Sequence, residues 1–410
     1  MRAGLIIRSD GILDCRDNVP LQVTDGYIAV AGDRIMALGR GDAGAPICGP
    51  RTEIIDARGK TVIPGLIDAH THLVHGGSRE KELALKLKGM SYLDILKSGG
   101  GILDTVAKTR RASREELSNK ARKSLDRMLI HGTTTVEAKS GYGLDLETEI
   151  KCLQVAQELN DEHPIDLIST YMGAHAIPEE YAGNPQGYIR LMTEEIMPYI
   201  ARHRLAEFID VFCEEGVFSP REARVLMESG RSMGFKLKIH ADEIVPLQGA
   251  ELAAEMGAVS ADHLLAASED GLNAMSQARV TAVLLPGTSF YLMLGKYADA
   301  GKMMAKGIRV ALASDYNPGS CPTENLQAIM TLACFGMKLS PEEILKGMTI
   351  NAAHAVDRAA DIGSIEAGKK ADLVILDAPN WDYVIYHFGV NHVDKVIKSG
   401  RTVVDRGRLV

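Results

Sequence analysis

The chain has 410 residues, of which 46% are hydrophobic and 24% are charged, and its formal net charge is −8. Such a length suits one large domain with a smaller domain attached, and the apolar fraction suffices for a sizeable core. The acidic balance and the lack of a long basic stretch argue against nucleic acid as a partner, and no apolar run is long enough to span a bilayer.

Both ends of the chain have the pattern of short strands joined by turns. The N-terminal pieces LIIRSDGILDC, YIAVAGDRIMALG and TEIIDARG alternate apolar and polar residues and carry Gly and Asp at the bends. The C-terminal pieces ADLVILDAP and VDKVIKSGRTVVDRGRLV show the same pattern. We predict that residues 1–60 and 366–410 pair into one small β-sandwich domain.

Residues 61–365 alternate short apolar strands with amphipathic helices. The helical segments include REELSNKARKSLDRMLIHG and LETEIKCLQVAQEL, and the strand candidates are TVIPGLIDAH, TTTVEAK, DLISTYMGAH, FIDVFCEE, KLKIHADE, AVSADH, VTAVLLP and RVALASD. This alternation predicts an α/β fold, a (β/α)8 TIM-type barrel. Because such barrels carry their catalytic groups at the C-terminal ends of the strands, the polar residues that end these runs are the candidates for chemistry.

The first barrel strand ends in VIPGLIDAHTHLVHGG, which contains His70 and His72. Alternate residues of an extended strand point to the same side, so both imidazoles can bind one metal ion. Two exposed loop histidines are the simpler explanation of such a pair. The metal interpretation is favoured because the pair closes a strongly apolar strand and further candidate ligands end later strands.

Those further candidates are His240, with Glu243 close behind it, His263 and Asp315. An isolated His or Asp at a strand end is usually a capping or buried polar residue. Residues of this kind ending several different strands in order are hard to explain as caps. The imidazoles of His70 and His72, together with a third imidazole and a carboxylate, suit Zn²⁺ or Fe²⁺, with one position left for water.

This order of residues resembles the one-metal branch of the amidohydrolase superfamily. The phrase SIEAGKKADLVILD is also typical of it. Two-metal members use a carboxylated lysine near the fourth strand, which here ends in VFCEE without a lysine. Lys139 ends the second strand instead, and we interpret it as an ion-pair partner rather than a metal ligand.

Within the superfamily the chain resembles the imidazolonepropionase family along essentially its whole length. The long shared phrases are HLVHGGSRE, KSGGGILDTVAKTR, TTVEAKSGYGLDLETE, GAHAIPEEY, HADE, DHL and SDYNPGS. The resemblance implies hydrolytic opening of the ring of 4-imidazolone-5-propanoate to N-formimidoyl-L-glutamate in histidine degradation. It also implies one divalent metal ion, Zn²⁺ or Fe²⁺, and a homodimer.

The resemblance further implies the roles of single residues. The metal ligands would be His70, His72, His240 and Asp315. The catalytic residues would be Asp315 as proton acceptor, His263 as a contact of the water or the developing oxyanion, and Glu243 as proton donor.

The substrate would carry a propionate tail, which needs a cation at the site. Arg79 follows the metal-binding strand within a motif of the family and is the expected carboxylate fork, although most loop arginines lie on the surface. Simpler explanations also exist for the other candidates, namely a packed aromatic or turn residues. The expected substrate-binding residues are Arg79, Tyr142, His175, Glu243, Asn317, Gly319 and Ser320. The glycine run at 98–102 lacks the context of a phosphate loop and is expected to form a loop near the mouth.

Two other functions are compatible with parts of this pattern. A deaminase of a cyclic amidine would share the metal residues but would not need Arg79, and it would release ammonia. A non-catalytic barrel is the weaker alternative, because every expected ligand is present. Six scattered cysteines without CxxC spacing indicate free thiols, and the N-terminus lacks the apolar core of a signal peptide, so we expect a cytoplasmic location.

Overall fold

A computed structural model describes residues 2–42, 47–90 and 100–410. Eight parallel strands follow one another around a barrel, and each is hydrogen-bonded to the next in sequence. They are β6 (Leu66–Thr71), β7 (Thr133–Lys139), β8 (Asp166–Ala174), β9 (Phe208–Cys213), β10 (Lys236–Ala241), β11 (Ser260–His263), β12 (Thr281–Leu284) and β13 (Val310–Leu312). All eight predicted barrel strands are present, and the barrel fold is confirmed.

The first and last barrel strands meet just beyond their C-terminal ends. The amide of Asp315 donates to the carbonyl of His70 over 3.0 Å, and the amide of His72 donates to the carbonyl of Tyr316 over 2.8 Å. These two bonds fix the backbone of three candidate ligands against one another. The closure of the barrel therefore assembles part of the candidate site.

Helices connect the strands and cover the barrel. Three of them begin with a capping box, at Ser113, Ser219 and Ser340. In each box the serine hydroxyl accepts a hydrogen bond from the backbone amide of the glutamate three residues on, and the carboxylate of that glutamate accepts one from the backbone amide of the serine. Leu125 and Leu153, from two helices, belong to the same apolar cluster as Val136 of β7.

The helices are α1 (Lys81–Leu87), α2 (Ile102–Arg111), α3 (Arg114–Ile130), α4 (Leu146–Glu162), α5 (Pro185–Leu191), α6 (Met197–His203), α7 (Pro220–Ser232), α8 (Gly249–Glu255), α9 (Glu269–Ala278), α10 (Pro286–Tyr291), α11 (Ala300–Ala305), α12 (Leu326–Met337), α13 (Pro341–Gly347), α14 (Ile350–Ala355) and α15 (Trp381–Tyr386). A π-helical turn, Met192–Ile196, joins α5 to α6, and a 3₁₀ turn, Glu179–Tyr181, precedes α5.

The two ends of the chain form one further sheet of nine strands. Its hydrogen-bonded ladder is continuous, and strands from both ends meet where Thr61–Pro64 pairs with Leu5–Leu13 and with Leu373–Leu376. The strands are β1 (Leu5–Leu13), β2 (Val23–Ala31), β3 (Arg34–Arg40), β4 (Glu53–Asp56), β5 (Thr61–Pro64), β14 (Leu373–Leu376), β15 (Val393–Lys398), β16 (Arg401–Asp405) and β17 (Arg408–Leu409). The predicted joining of the two termini is therefore observed.

The predicted barrel strand TVIPGLIDAH is divided into two strands. Thr61–Pro64 belongs to the terminal sheet, and the barrel strand begins only at Leu66. Gly65 lies between them at a close approach, because a Cβ there would lie 2.2 Å from the hydroxyl oxygen of Thr134. The apolar pattern runs on through this point because both strands are buried, so periodicity alone does not reveal the break.

Of the predicted glycine loop at 98–102, residues 98 and 99 lie outside the described residues. Gly101 is described and precedes α2. Among the described residues, none of the helices has the length and apolarity required to cross a membrane.

Candidate metal centre

Four histidines and one aspartate meet at the C-terminal ends of the barrel strands. The ring of His70 lies 4.5 Å from that of His240, 5.5 Å from that of His72 and 5.6 Å from that of His263, measured between centroids. One carboxylate oxygen of Asp315 lies 3.4 Å from Nε2 of His70 and 3.6 Å from Nε2 of His72. All five side chains are buried. The sequence-predicted ligands thus come together although they are spread over about 250 positions of the chain.

The ligand atoms of this cluster fit a divalent metal ion. Burial, followed by neighbouring positive charges, lowers the pKa of His70, His72 and His240 well below its usual value, so their imidazoles are neutral. Nε2 of His70 and Nε2 of His240 are buried and have no hydrogen-bond partner among the described residues. Buried polar atoms without partners are costly, and a metal ion would satisfy both. Neutral imidazole nitrogens with one carboxylate oxygen are suitable zinc or iron ligands.

Buried carboxylates orient two of these histidines. Nδ1 of His70 lies 2.6 Å from a carboxylate oxygen of Asp262, and Nδ1 of His240 lies 3.0 and 3.1 Å from the oxygens of Asp210. A carboxylate at this position holds the proton on Nδ1. The lone pair of Nε2 then points into the cluster, where a metal ion can accept it.

Buried Lys139 compensates these two carboxylates, and it shares a third one, Glu137, with buried Lys238. The ammonium of Lys139 lies 2.6 Å from Asp210, 3.0 Å from Glu137 and 3.3 Å from Asp262, while that of Lys238 lies 2.8 Å from Glu137. Burial alone would lower the pKa of Lys139, but the three carboxylates outweigh it and raise this pKa. Lys139 is therefore a cation held among anions, and its interpretation as an ion-pair partner is confirmed.

Asp315 has features of both a ligand and a proton acceptor. Its second carboxylate oxygen accepts a hydrogen bond from the hydroxyl of Thr288 over 2.5 Å and lies 3.3 Å from the hydroxyl of Ser320. Burial raises the pKa of Asp315 to about 7, although hydrogen bonds from Thr288, Asn317 and Ser320 oppose the shift. A carboxyl group with such a pKa can take up and release a proton near neutral pH.

Glu243 and His263 lie beside one another at the same mouth, with a carboxylate oxygen of Glu243 3.5 Å from Nδ1 of His263. Burial, and then the charges of Asp315 and Glu214, raise the pKa of Glu243 to about 8. Burial lowers the pKa of His263 to about 4. At neutral pH the pair therefore consists of a protonated carboxyl group and a neutral imidazole.

An aromatic wall lies next to the histidine cluster. The ring of His175 stacks on that of His72, with 4.6 Å between centroids, and the ring of Tyr142 lies 5.2 Å from that of His175. Buried Glu149 accepts hydrogen bonds from the amides of Gly141, Gly143 and Leu144 and so fixes the loop that carries Tyr142. The wall could contact a flat polar ring.

Arg79, Asn317, Gly319 and Ser320 lie together on another side of the mouth. A Cβ at Gly319 would lie only 2.1 Å from one terminal nitrogen of Arg79, so the guanidinium packs directly on this glycine. The side-chain oxygen of Asn317 accepts from the amides of Gly319 and Ser320, each over 2.8 Å. All the predicted site residues are thus placed around one mouth of the barrel.

Several residues of the site were not found from the sequence. Asp210 and Asp262 orient the histidines, Thr288 binds Asp315, and Glu82 pairs with Arg79. An acidic residue inside the apolar strand FIDVFC was a usable signal for Asp210, since such a residue is buried only with a partner. Thr288 and Glu82 lie beyond strand ends, and no local pattern marks them.

Comparisons with known proteins agree with this architecture. Residues 53–93 and 218–403 match models of the amidohydrolase family. A zinc-bound atrazine chlorohydrolase variant from Arthrobacter aurescens superposes with a TM-score of 0.80 at 17% identity, covering 99% of this chain and 96% of the other. A zinc-bound adenosine deaminase from Xanthomonas campestris gives a TM-score of 0.74 at 17% identity, covering 100% and 94%. At such identities the likeness shows the fold alone.

Relatives with similar sequences are more specific. An imidazolonepropionase from Alkaliphilus oremlandii is 61% identical over 95% of this chain and 92% of its own length. An imidazolonepropionase from Treponema denticola is 60% identical over 94% and 93%. Identity of this extent covers both the barrel and the terminal sheet, so the chain belongs to the imidazolonepropionase family of the amidohydrolases.

Proposed function

We propose that the chain hydrolyses 4-imidazolone-5-propanoate to N-formimidoyl-L-glutamate in histidine degradation. The observation that carries this proposal is a mouth with two chemically different ends. One end is the cluster of neutral imidazoles and Asp315, and the other contains the cation Arg79 packed on Gly319. A ring carbonyl suits the first end and a propionate suits the second.

We assign His70, His72, His240 and Asp315 as the residues that would hold one divalent metal ion, Zn²⁺ or Fe²⁺. When bound, such an ion supplies Lewis-acid activation of water and of a carbonyl group at neutral pH. The unpartnered Nε2 atoms of His70 and His240 support the assignment. His263 lies in the same cluster, and we assign it to the attacking water or to the developing oxyanion instead.

The protein's own groups would move two protons. Asp315 would accept a proton as the water oxygen bonds to the ring carbonyl carbon. Breaking the bond between that carbon and the ring nitrogen then requires a proton at the nitrogen. Glu243 is protonated at neutral pH because its pKa is raised to about 8, and it would donate that proton.

Substrate orientation would come from the two sides of the mouth. Tyr142 and His175 form the aromatic wall against which the flat ring would lie. Arg79, Asn317, Gly319 and Ser320 would surround the propionate, and Glu243 would contact the ring nitrogen. The homodimer that the resemblance implies and the cytoplasmic location expected from the scattered cysteines and the N-terminus stay predictions.

The test is turnover of 4-imidazolone-5-propanoate by the purified, metal-loaded enzyme. We expect loss of the substrate's ultraviolet absorbance, one equivalent of N-formimidoyl-L-glutamate and no ammonia in the same step. Release of ammonia, or turnover of cyclic amidines in place of this substrate, would assign the chain to the deaminases instead. The Asp315→Asn variant is the matched control for metal-independent decay of the substrate.

A further inference from the structure

The guanidinium of Arg79 is already paired with an anion. Its Nε and one terminal nitrogen each donate to Glu82 over 2.9 Å, and both side chains are less than a tenth exposed. Burial alone would raise the pKa of Glu82, but hydrogen bonds from Arg79 and from the amide of Gly101 outweigh it and lower this pKa. Glu82 is therefore ionised, and the pair as a whole carries no net charge.

A second cation, Lys86, lies in α1 one turn after Glu82. Lys86 is half-buried, and its ammonium donates to the carbonyl of Gly319 over 2.7 Å and lies 4.9 Å from the ring centre of Tyr291. Within the described ranges no carboxylate forms an ion pair with it, including Glu82 four residues before. Burial and the charge of Arg79 lower the pKa of Lys86, and the opposing charge of Glu82 does not offset them, because Glu82 is already paired with Arg79.

Gly319 brings these two cations to the same place. Arg79 packs against its α-carbon, and Lys86 binds its carbonyl oxygen. The next residue, Ser320, has its hydroxyl 3.3 Å from the carboxylate of Asp315. The positive charge of Lys86, which no ion pair among the described residues cancels, therefore lies at the mouth. Its partner Gly319 directly precedes Ser320, which lies beside Asp315 of the candidate metal centre.

We propose that Lys86 supplies the net positive charge that captures the substrate's carboxylate, while Arg79 supplies directed hydrogen bonds. The inference rests on the proposed function, which provides the carboxylate. A desolvated anion needs an uncompensated cation, and the neutral Arg79–Glu82 pair offers none. An ammonium has three donors, of which Gly319 uses one, so Lys86 can bind a carboxylate without leaving that carbonyl.

Comparing a carboxylate ligand with its uncharged amide separates the effect of the ligand's charge from the effect of its shape. The variants are Lys86→Met and, as control, Lys88→Met, which removes an exposed lysine from the end of the same helix. We expect Lys86→Met to lower kcat/KM for 4-imidazolone-5-propanoate about tenfold to a hundredfold, mostly through KM. The same variant should handle the propionamide analogue like the wild type, and Lys86→Arg should recover part of the loss.

A binding measurement keeps this inference separate from the proposed reaction. Imidazole propionate and imidazole propionamide cannot undergo ring opening. Calorimetric titration with these two ligands therefore measures the carboxylate contact even if this enzyme acts on a different substrate. A preference of the wild type for the carboxylate that disappears in Lys86→Met supports the role of Lys86. The role is overturned if Lys86→Met loses affinity equally for both ligands, if it loses no affinity for either, or if the wild type binds the carboxylate no more tightly than the amide. Failure of turnover alone would count only against the proposed reaction.

Discussion

The two ends of the mouth are built in different ways. At the metal end, the histidines lie on or directly after barrel strands. Buried carboxylates bind two of these histidines, and buried Lys139 in turn pairs with the carboxylates. At the carboxylate end, Arg79 and Lys86 lie in a loop and a short helix, and Gly319 lies in the loop after the last strand. Strands fix geometry more tightly than loops do. The residues proposed for the chemistry thus lie on the rigid part of the barrel, and those proposed to recognise the substrate's tail lie on segments that relatives of the fold can vary.

The largest effect should come from the metal end. Asp315→Asn keeps the shape of the side chain but removes both the anionic ligand and the proton acceptor. We expect kcat to fall about a thousandfold or more while circular dichroism and the unfolding temperature stay near those of the wild type. Near-normal turnover with full metal content would show that Asp315 has neither role.

The buried ion pairs next to the candidate metal ligands should contribute to the free energy of unfolding. Lys139→Met leaves Asp210 and Asp262 buried without their main counterion. We expect the free energy of unfolding to drop by about 3–5 kcal/mol, measured by urea titration. Arg114→Met, which breaks an exposed pair with Glu158, is the control and should cost far less. Equal losses in the two variants would mean that the buried network adds little.

The carboxylate end should respond in substrate capture without loss of metal. Arg79→Ala removes a guanidinium that packs on Gly319, and we expect kcat/KM for the propionate substrate to fall about tenfold to a hundredfold. Metal content should not change, since the two ends are separate. Arg79→Lys should recover only part, because an ammonium lacks the planar fork. A variant that loses metal together with activity would contradict this separation.

The smallest predicted effect is a pH dependence. The pKa of Glu243 is raised to about 8, so its carboxyl group is protonated at neutral pH and loses its proton as the pH rises through that value. Because the protonated form is the donor, kcat should decrease on the alkaline side of about pH 8. Glu243→Gln should lower kcat and flatten this limb. An unchanged alkaline limb in that variant would assign it to another group.

The sequence was sufficient for the barrel and for the clustering of the candidate ligands because both depend on strand ends. Each barrel strand is a short apolar run, and His70, His240 and Asp315 end such runs, so the topology brings them together wherever they lie in the chain. The terminal sheet followed from its alternating pattern. The break at Gly65 did not, because the approach of Thr134 that requires a glycine is a tertiary contact.

Pairing was harder to predict than position. Arg79 was expected as a carboxylate fork, but its pairing with Glu82 depends on how a short helix folds back over the loop. Lys86 was not singled out, because a lysine on a helix is usually exposed, and only its contact with the distant Gly319 places it near the mouth. Contacts between loops far apart in the chain have no local pattern from which they could be derived.

The central claim is a single metal ion at the C-terminal ends of the barrel strands. Anomalous diffraction at the zinc and iron absorption edges, combined with metal analysis of the fully active enzyme, tests it most directly. We predict one ion per chain, bound by His70, His72, His240 and Asp315. Two ions per chain, or one ion bound by Asp210 and Asp262 in the place of Lys139, would contradict the account.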